Sequence, residues 1–184
     1  MRFDFFQVRL FILFILPLIF LNCESPVTNV VLTEGTPVDS LDGVLVYYNG
    51  SVDHVDGRNI TSDGYNLGLK YQCVEFVKRY YYQHFHHKMP NAFGHAKDFF
   101  DSIVNDGELN TKRNLLQFKN GSKSQPKKGD LLVMNATIFN SYGHVAIISS
   151  IDEHKIEIIQ QTPGPAAPSR VKLPLVKKNG LYYI

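Results

Sequence analysis

Tyr71-Gln-Cys73-Val-Glu-Phe-Val-Lys-Arg79-Tyr-Tyr-Tyr82 is the stretch that decides how the rest of the chain is interpreted. Its apolar residues recur every three or four positions, which predicts a helix from Cys73 to about His84. Cys73 would lie in the first turn, where the helix dipole favours the thiolate, the nucleophilic form of cysteine. From this stretch alone, the alternative is that Cys73 is a small buried apolar residue, as most free cysteines are.

Length and charge limit the possible classes of protein. The chain has 184 residues, enough for one compact domain with a tail, and its net charge of +2 gives no reason to expect a nucleic acid partner. Only two cysteines occur, Cys23 and Cys73. A disulfide between them is possible in an oxidising compartment, but the surroundings of each suggest a separate role.

The start of the chain resembles an export signal. Two arginines flank a short polar start, and an unbroken apolar run from Leu10 to Leu21 follows. This pattern predicts a secretory signal peptide over residues 1–22, since the run is shorter than the ~20 residues of a membrane-spanning helix. Cys23 then lies in a context similar to a bacterial lipobox, although Asn22 stands where Gly, Ala or Ser is usual. We therefore expect a lipoprotein of the bacterial cell envelope, anchored in a membrane through Cys23; simple secretion is the alternative.

Composition changes again after Cys23. Residues 23–40 are rich in Pro, Thr, Glu, Gly and Asp and predict a linker, so the domain is expected to span residues 41–184. The β-branched and aromatic run Val44–Tyr48 ends at an Asn-Gly turn and predicts a strand. Residues 51–70 are polar and are expected to form a loop.

The middle of the chain predicts a second helix over Asn91–Val104, whose apolar residues have helical spacing. His84, His86 and His87 form a cluster, but they lack the i, i+4 spacing of two ligands on one helix face. We therefore interpret them as surface histidines near a helix end and expect no metal there.

Three apolar segments of the second half predict strands: Leu131–Met134, a strand headed by His144 that runs to Ile151, and Lys155–Gln161. A lone histidine in a strand is usually a hydrogen-bonded core residue. His144, however, follows a glycine at the end of the sheet, where a neutral imidazole can take a thiol proton and pass it to a leaving amine. A helix cysteine followed by a strand histidine tens of residues later is the order of papain-like thiol hydrolases.

Three motifs in this order resemble the CHAP domain, the cysteine, histidine-dependent amidohydrolase/peptidase family. They are Tyr71–Phe76, Gly129–Val133 and Gly143–Ile148, and the likeness is closer to the amidase domain of glutathionylspermidine synthetase/amidase. The resemblance extends from about residue 40 to the C-terminus. It implies an α+β, papain-like (NlpC/P60-like) fold with N-terminal helices packed on an antiparallel sheet. It also implies a Cys73 nucleophile, a His144 base and no metal or organic cofactor.

In that family the strand after the histidine usually ends in Glu-Gln-Asn, whose acid orients the histidine, whereas this chain has Gln160-Gln161-Thr162. Strand alternation places Glu157 on the face opposite to Gln160, so Glu157 cannot simply replace that acid. We predict that the Gln160 carbonyl orients His144. Because an amide supplies no negative charge, the thiolate–imidazolium pair should be weaker.

Further residues near the two motifs are candidates for the cleft. The Cys73 backbone N–H and the Gln72 side chain are candidate oxyanion donors. Tyr71 and Tyr142 are candidates to line the cleft, although packing against the sheet would explain them equally well. Glu75 and Arg79 are four residues apart and are expected to form a surface ion pair.

The sequence thus predicts an exported thiol amidohydrolase/peptidase that cleaves an amide bond through a Cys73 thioester. For an exported bacterial enzyme, peptidoglycan is the natural substrate class. Two alternatives remain: an amidase of the glutathionylspermidine type, whose substrate is cytoplasmic, and a catalytically impaired lipoprotein that binds the cell wall.

Overall fold

A computed structural model describes residues 32–161 and 167–184 of the chain. The predicted signal peptide, Cys23 and the first part of the predicted linker lie outside these ranges. The described part contains an α-helix, α1 (Cys73–Phe85), and a 3-10 helix at Ala96–Phe99. Its strands are β1 (Pro37–Leu41), β2 (Val44–Tyr47), β3 (Arg58–Ile60), β4 (Asn66–Leu69), β5 (Leu109–Asn110), β6 (Leu115–Leu116), β7 (Leu131–Met134), β8 (His144–Ile151), β9 (Lys155–Ile159), β10 (Arg170–Pro174), β11 (Val176–Lys178) and β12 (Leu181–Tyr183).

The central element is a four-stranded antiparallel sheet with the order β10-β9-β8-β7. Met134 of β7 is opposite His144 of β8, and Ile147 is opposite Ile159 of β9. The register therefore places His144 at one end of the sheet, close to the point where β9 finishes. The other strands form two-stranded hairpins around this sheet.

The sheet is buried on both faces, with successive residues of β8 pointing to opposite sides. Val145 and Ile147 join the core that α1 supplies through Phe76, Val77 and Tyr80. A second core on the opposite face contains Ala146, Ile148, Ile156, Ile158 and Leu175, with the partly buried Tyr182 of β12 packed on it. Fully burying one such aliphatic or aromatic side chain contributes roughly 1.5–3 kcal/mol, so α1 is held on the sheet by its apolar face.

Several predicted elements are confirmed. Helix α1 begins at Cys73 and ends at Phe85, one residue beyond the expected end. The predicted strands after residue 130 correspond to β7, β8 and β9, and the last two form the expected hairpin. The strand predicted at Val44–Tyr48 is β2, which pairs with β1. Among the described residues, no helix is long and apolar enough to cross a bilayer.

The prediction of several N-terminal helices is wrong for the described residues. Four short strands precede α1, and the segment predicted as a second helix contains only the 3-10 turn Ala96–Phe99, with Ile103 85% exposed. The carbonyls that a helix would need there are used elsewhere, because the Arg113 guanidinium donates to those of Asn91 and Asp98. The backbone N–H of His95 donates to the Asp98 carboxylate instead of continuing a helix.

The loop predicted over residues 51–70 is also corrected, because it contains the β3–β4 hairpin. The polar composition of residues 51–70 gave no indication that Leu67 is buried. Gly68 lets β4 approach α1 closely: it has a φ of +130°, and a Cβ there would lie 3.3 Å from the backbone nitrogen of Glu75. Since a side chain would meet backbone at that distance, this packing requires a residue without one.

Candidate active site

Cys73 is the first residue of α1, directly after the extended N-cap Gln72. Its side chain is partly buried and packs against the core between α1 and the sheet. This core includes Val145, the residue after His144, and the backbone of Val145 acts to lower the pKa of the thiol. The thiol therefore lies between the start of α1 and the head of β8.

The His144 ring is held by Gln160. Its Nε2 lies 2.9 Å from Gln160 Oε1. The Gln160 amide donates through its own Nε2 to the Pro168 carbonyl, 3.1 Å away, which fixes which end of the amide faces the ring. Because an amide oxygen can only accept, ring Nε2 carries the proton, and Nδ1 is left with the lone pair that a base needs.

Burial shifts the pKa of both candidate reacting groups so that their uncharged forms are favoured. It raises the pKa of the Cys73 thiol above the usual 9.0, and the backbone hydrogen bonds to the sulfur only partly oppose this. Burial likewise lowers the pKa of His144 below 6.5, with the hydrogen bond to Gln160 acting in the opposite direction. The expected preference for thiolate at the helix start is therefore outweighed by desolvation, and burial favours the neutral thiol and the neutral imidazole.

Glu157 is positioned as strand alternation predicts, away from the His144 ring. Its carboxylate accepts from Arg170, at 3.0 Å, and from the Ser149 hydroxyl, at 2.9 Å. These bonds hold its pKa below the usual range, the largest effect coming from Arg170. Glu157 thus belongs to an ion pair at the β9–β10 edge.

The Gln72 side chain points to the loop before β3. Its amide nitrogen donates to the carbonyls of Val52, at 3.0 Å, and His54, at 2.7 Å. Its role as an oxyanion donor stays a prediction, and that role requires one of these bonds to be exchanged for the substrate. The Cys73 backbone N–H lies in the first helical turn, and its role as an oxyanion donor likewise stays a prediction.

The two tyrosines of the predicted site differ in exposure. The Tyr71 ring packs against that of Tyr47, with the centroids 5.2 Å apart. Tyr142 is largely exposed and lies 4.7 Å from the His95 ring. Tyr142 belongs to the β7–β8 loop, which also presents Ile138 and Phe139, 92% and 93% exposed, to solvent.

The expectation of a surface ion pair between Glu75 and Arg79 is wrong, because the pair is buried. Their side chains are only 1% and 6% exposed, and Arg79 Nε lies 2.6 Å from Glu75 Oε1. Glu75 also accepts from Asn59 and from the fully buried Gln161, and Arg79 also donates to Gln161. The spacing predicted the pair correctly, but a single sequence does not show that β2, β4 and the end of β9 close over it.

Gln161 is the residue whose role sequence reasoning missed. The motif identified its neighbour Gln160, and the available signal for Gln161 was a second amide side chain at the end of an apolar strand. A cavity of about 820 Å³ lies elsewhere, between β7 and the segment 115–126. Cys73, His144 and Gln160 do not line it, so we keep it separate from the site.

A thiol at the start of a helix, packed against the end of an antiparallel sheet where an amide holds a histidine ring, defines the class of papain-like thiol hydrolases. The comparison with protein families agrees: the model described as "CHAP domain" matches residues 61–162, more than half of the chain. The chain therefore belongs to the CHAP domain family, and it is a cysteine amidohydrolase/peptidase.

Two kinds of curated relative are similar to this chain. The bifunctional glutathionylspermidine synthetase/amidase of Escherichia coli (strain K12) is 32% identical over 136 residues, which cover 68% of this chain and 21% of the relative. The trypanothione synthetase of Crithidia fasciculata is 25% identical over 146 residues, covering 77% of this chain and 22% of the relative. The chain thus matches about a fifth of the length of these relatives.

Proposed function

We propose that this chain is an exported thiol amidohydrolase/peptidase that cleaves an amide bond in peptidoglycan through a Cys73 thioester. The observation that supports the chemistry is the packing of Cys73 against the core cluster that contains Val145, the residue after His144, whose ring is oriented by Gln160. The proposed location rests on the leader-like residues 1–22 and on the lipobox-like context of Cys23.

The first half of the reaction acylates the enzyme. His144 takes the proton of the Cys73 thiol as the sulfur attacks the carbonyl carbon of the substrate amide. The negative oxygen of the tetrahedral intermediate accepts a hydrogen bond from the Cys73 backbone N–H. The C–N bond then breaks, His144 returns the proton to the leaving amine, and the acyl group remains on the sulfur as a thioester.

The second half restores the thiol. His144, neutral again, takes a proton from a water molecule that attacks the thioester carbonyl. The C–S bond breaks, the proton passes from the imidazolium to the sulfur, and the product leaves as a carboxylic acid. Gln160 supports both halves by keeping the proton of the neutral ring on Nε2.

The test uses purified protein without the leader and murein embedded in a gel. We expect clearing by the wild type and none by Cys73→Ala or His144→Ala. His154→Ala is the matched control, since His154 is an exposed histidine in the β8–β9 turn, and it should clear murein like the wild type. Mass spectrometry of the released fragments would identify the amide bond. Equal clearing by Cys73→Ala would overturn the proposal.

A second candidate is an amidase of the glutathionylspermidine type. The observation in its favour is the 32% identity to the Escherichia coli synthetase/amidase, whose name includes an amidase activity. The same variants incubated with glutathionylspermidine decide between the two, since release of spermidine without murein clearing would favour this candidate.

A third candidate is an impaired relative that binds the cell wall. It is favoured by Gln160, which stands where the family usually has an acid. In a murein sedimentation assay this candidate requires equal binding by wild type and Cys73→Ala, together with no clearing by either.

A further inference from the structure

Two successive glutamines directly follow β9, and their side chains point in opposite directions. Gln160 lies on the face of Ile156 and Ile158 and contacts His144. Gln161 lies on the face of α1 and contacts the start of the helix that begins with Cys73. A single peptide bond thus joins the support of the imidazole to the support of the thiol.

All of the hydrogen-bonding capacity of the Gln161 side chain is used. Its Nε2 donates to the backbone carbonyl of Gln72, at 3.3 Å, and to Glu75 Oε2, at 3.0 Å. Its Oε1 accepts from the backbone N–H of Tyr47, at 2.8 Å, and from Arg79, at 3.3 Å. The side chain therefore ties the end of β9 to the helix start and to β2 at one point.

The groups around Gln161 are themselves fixed. Glu75 also accepts from Asn59 of β3, at 2.7 Å, and Arg79 also donates to the carbonyl of Leu45, at 2.7 Å. Glu75 and Arg79 pair through two of their own contacts, 2.6 and 3.3 Å long. Because Glu75 and Arg79 are buried and bonded to other groups as well, Gln161 has little freedom to move without breaking several bonds.

We propose that Gln161 is a positioning residue that holds the Cys73 thiol in register with the His144 imidazole. This inference rests on one part of the proposed function, namely that Cys73 and His144 react together, and it does not depend on the substrate. Small displacements of reacting groups cost large factors in rate, of order a hundredfold for about 1 Å. The contact with the Gln72 carbonyl bears most directly on the thiol, since that carbonyl belongs to the peptide group that leads into Cys73; it also accepts from the backbone N–H of Phe76, at 3.1 Å.

The alternative is that Gln161 only stabilises the fold. Measuring the rate of Cys73 alkylation by iodoacetamide separates the two roles, since that reaction needs the thiol and its base but no substrate. In the wild-type background, His144→Ala should slow alkylation at neutral pH by about tenfold or more, because the base is lost. In a Gln161→Met background, we expect His144→Ala to change the rate by less than about twofold, because the pair is already out of register.

Gln117→Met is the matched control. Gln117 is also a buried glutamine, and its side chain makes three hydrogen bonds, two with the backbone of Asp101 and one with Asn110, away from the catalytic residues. Its replacement should lower the thermal midpoint as Gln161→Met does, yet leave the effect of His144→Ala on alkylation at its wild-type size. An unchanged effect in the Gln161→Met background would overturn the proposal.

A second variant covers the case in which Gln161→Met does not fold. The reciprocal swap Glu75→Gln with Gln161→Glu keeps the buried charge, the side-chain sizes and a carboxylate beside Arg79, but it removes the donor to the Gln72 carbonyl. We expect the swap to fold and to lose the effect of His144→Ala as Gln161→Met does; a wild-type effect in the swap would overturn the proposal. If His144→Ala does not slow alkylation even in the wild type, the reacting pair itself fails, and both proposals fall with it.

Discussion

His144 Nε2 lies 2.9 Å from Gln160 Oε1, and this amide oxygen is the hydrogen-bond partner of the ring at that nitrogen. A carboxylate at the same place would stabilise the imidazolium by charge, which an amide does only weakly. Gln160 itself is buried and donates to the Pro168 carbonyl, so the support is a neutral hydrogen-bonded chain.

We therefore expect Gln160→Glu to raise the pKa of His144 and to increase kcat/KM by about tenfold, the equivalent of ~1.4 kcal/mol of imidazolium stabilisation. The second oxygen of the introduced carboxylate would face the Pro168 carbonyl, so the variant should also be less stable than the wild type. The ultraviolet absorbance of the thiolate, with Cys73→Ala as the blank, should increase. Gln160→Leu serves as the control that removes the acceptor, and it should lower kcat/KM. Equal or lower turnover in Gln160→Glu would argue that Gln160 does not orient the ring.

The pH dependence of the wild type follows from the lowered pKa of His144. In the proposed mechanism the neutral imidazole is the base, and burial lowers its pKa below 6.5. The plateau of kcat/KM should therefore extend below pH 6.5, and the rate should fall only as the pH passes the folded-state pKa. An acid limb at or above pH 6.5 would contradict this assignment.

The same shift has a consequence for stability. Between the two pKa values the unfolded chain binds more protons at this residue than the folded chain does. The free energy of unfolding should therefore decrease as the pH falls from 6.5 through the lower folded pKa, and the contribution is present in full above 6.5. Chemical denaturation of wild type and His144→Gln at several pH values measures it, with His154→Gln as the exposed control.

Local sequence patterns predicted several elements of the fold. The period of the apolar residues predicted α1, and the β-branched runs predicted β7, β8 and β9. The helix predicted over residues 91–104 was wrong because its helical spacing competes with a long-range partner. The Arg113 guanidinium binds carbonyls that a helix would use. The β3–β4 hairpin was not predicted, because its polar sequence gives little sign that Leu67 is buried and that Gly68 packs on α1.

Local patterns predicted the placement of two candidate site residues, Cys73 at a helix start and His144 at a strand head. The prediction of Gln160 rests on the resemblance to the CHAP family, and alternation along β9 excluded only Glu157. The burial of Glu75 and the role of Gln161 could not be predicted in this way, since both depend on contacts between elements distant in the chain. Burial also reversed the expected direction of the thiol pKa, because the dipole of a helix start is a local property and desolvation is not.

The buried pair Glu75–Arg79 gives a prediction for stability. Glu75→Leu leaves the Arg79 guanidinium buried without its carboxylate, so we expect a loss of about 3–5 kcal/mol in the free energy of unfolding. Glu75→Leu with Arg79→Met should cost less than the sum of the single changes, because no uncompensated charge remains. Lys155→Ala is the control: it removes one partner of an ion pair that is about half exposed and should cost about 0–1 kcal/mol. Denaturant titration measures Glu75→Leu, Arg79→Met, the double variant and Lys155→Ala. If the losses in the free energy of unfolding from the two single changes added up in the double variant, the prediction would be contradicted.

The glycine before His144 gives the last prediction. Gly143 has a φ of +73°, and a Cβ there would lie 2.7 Å from the Met134 carbonyl oxygen and 3.1 Å from the backbone nitrogen of Lys97. Gly180 has a similar φ of +77°, with no atom within 4 Å of the corresponding Cβ position. Gly180→Ala therefore carries only the backbone cost of a left-handed residue, of order 1–2 kcal/mol, and should leave the activity unchanged.

Gly143→Ala should cost more than Gly180→Ala in the free energy of unfolding, because the backbone of β7 or of the 3-10 helix must move as well. Since that movement begins one residue before His144, we also expect kcat/KM to fall by about tenfold or more while the folded fraction at assay temperature stays high. Thermal unfolding and turnover measured on both variants test this. If the two substitutions proved equal in both measurements, the head of β8 would be able to shift freely, and the fixed position of His144 would not be needed for catalysis.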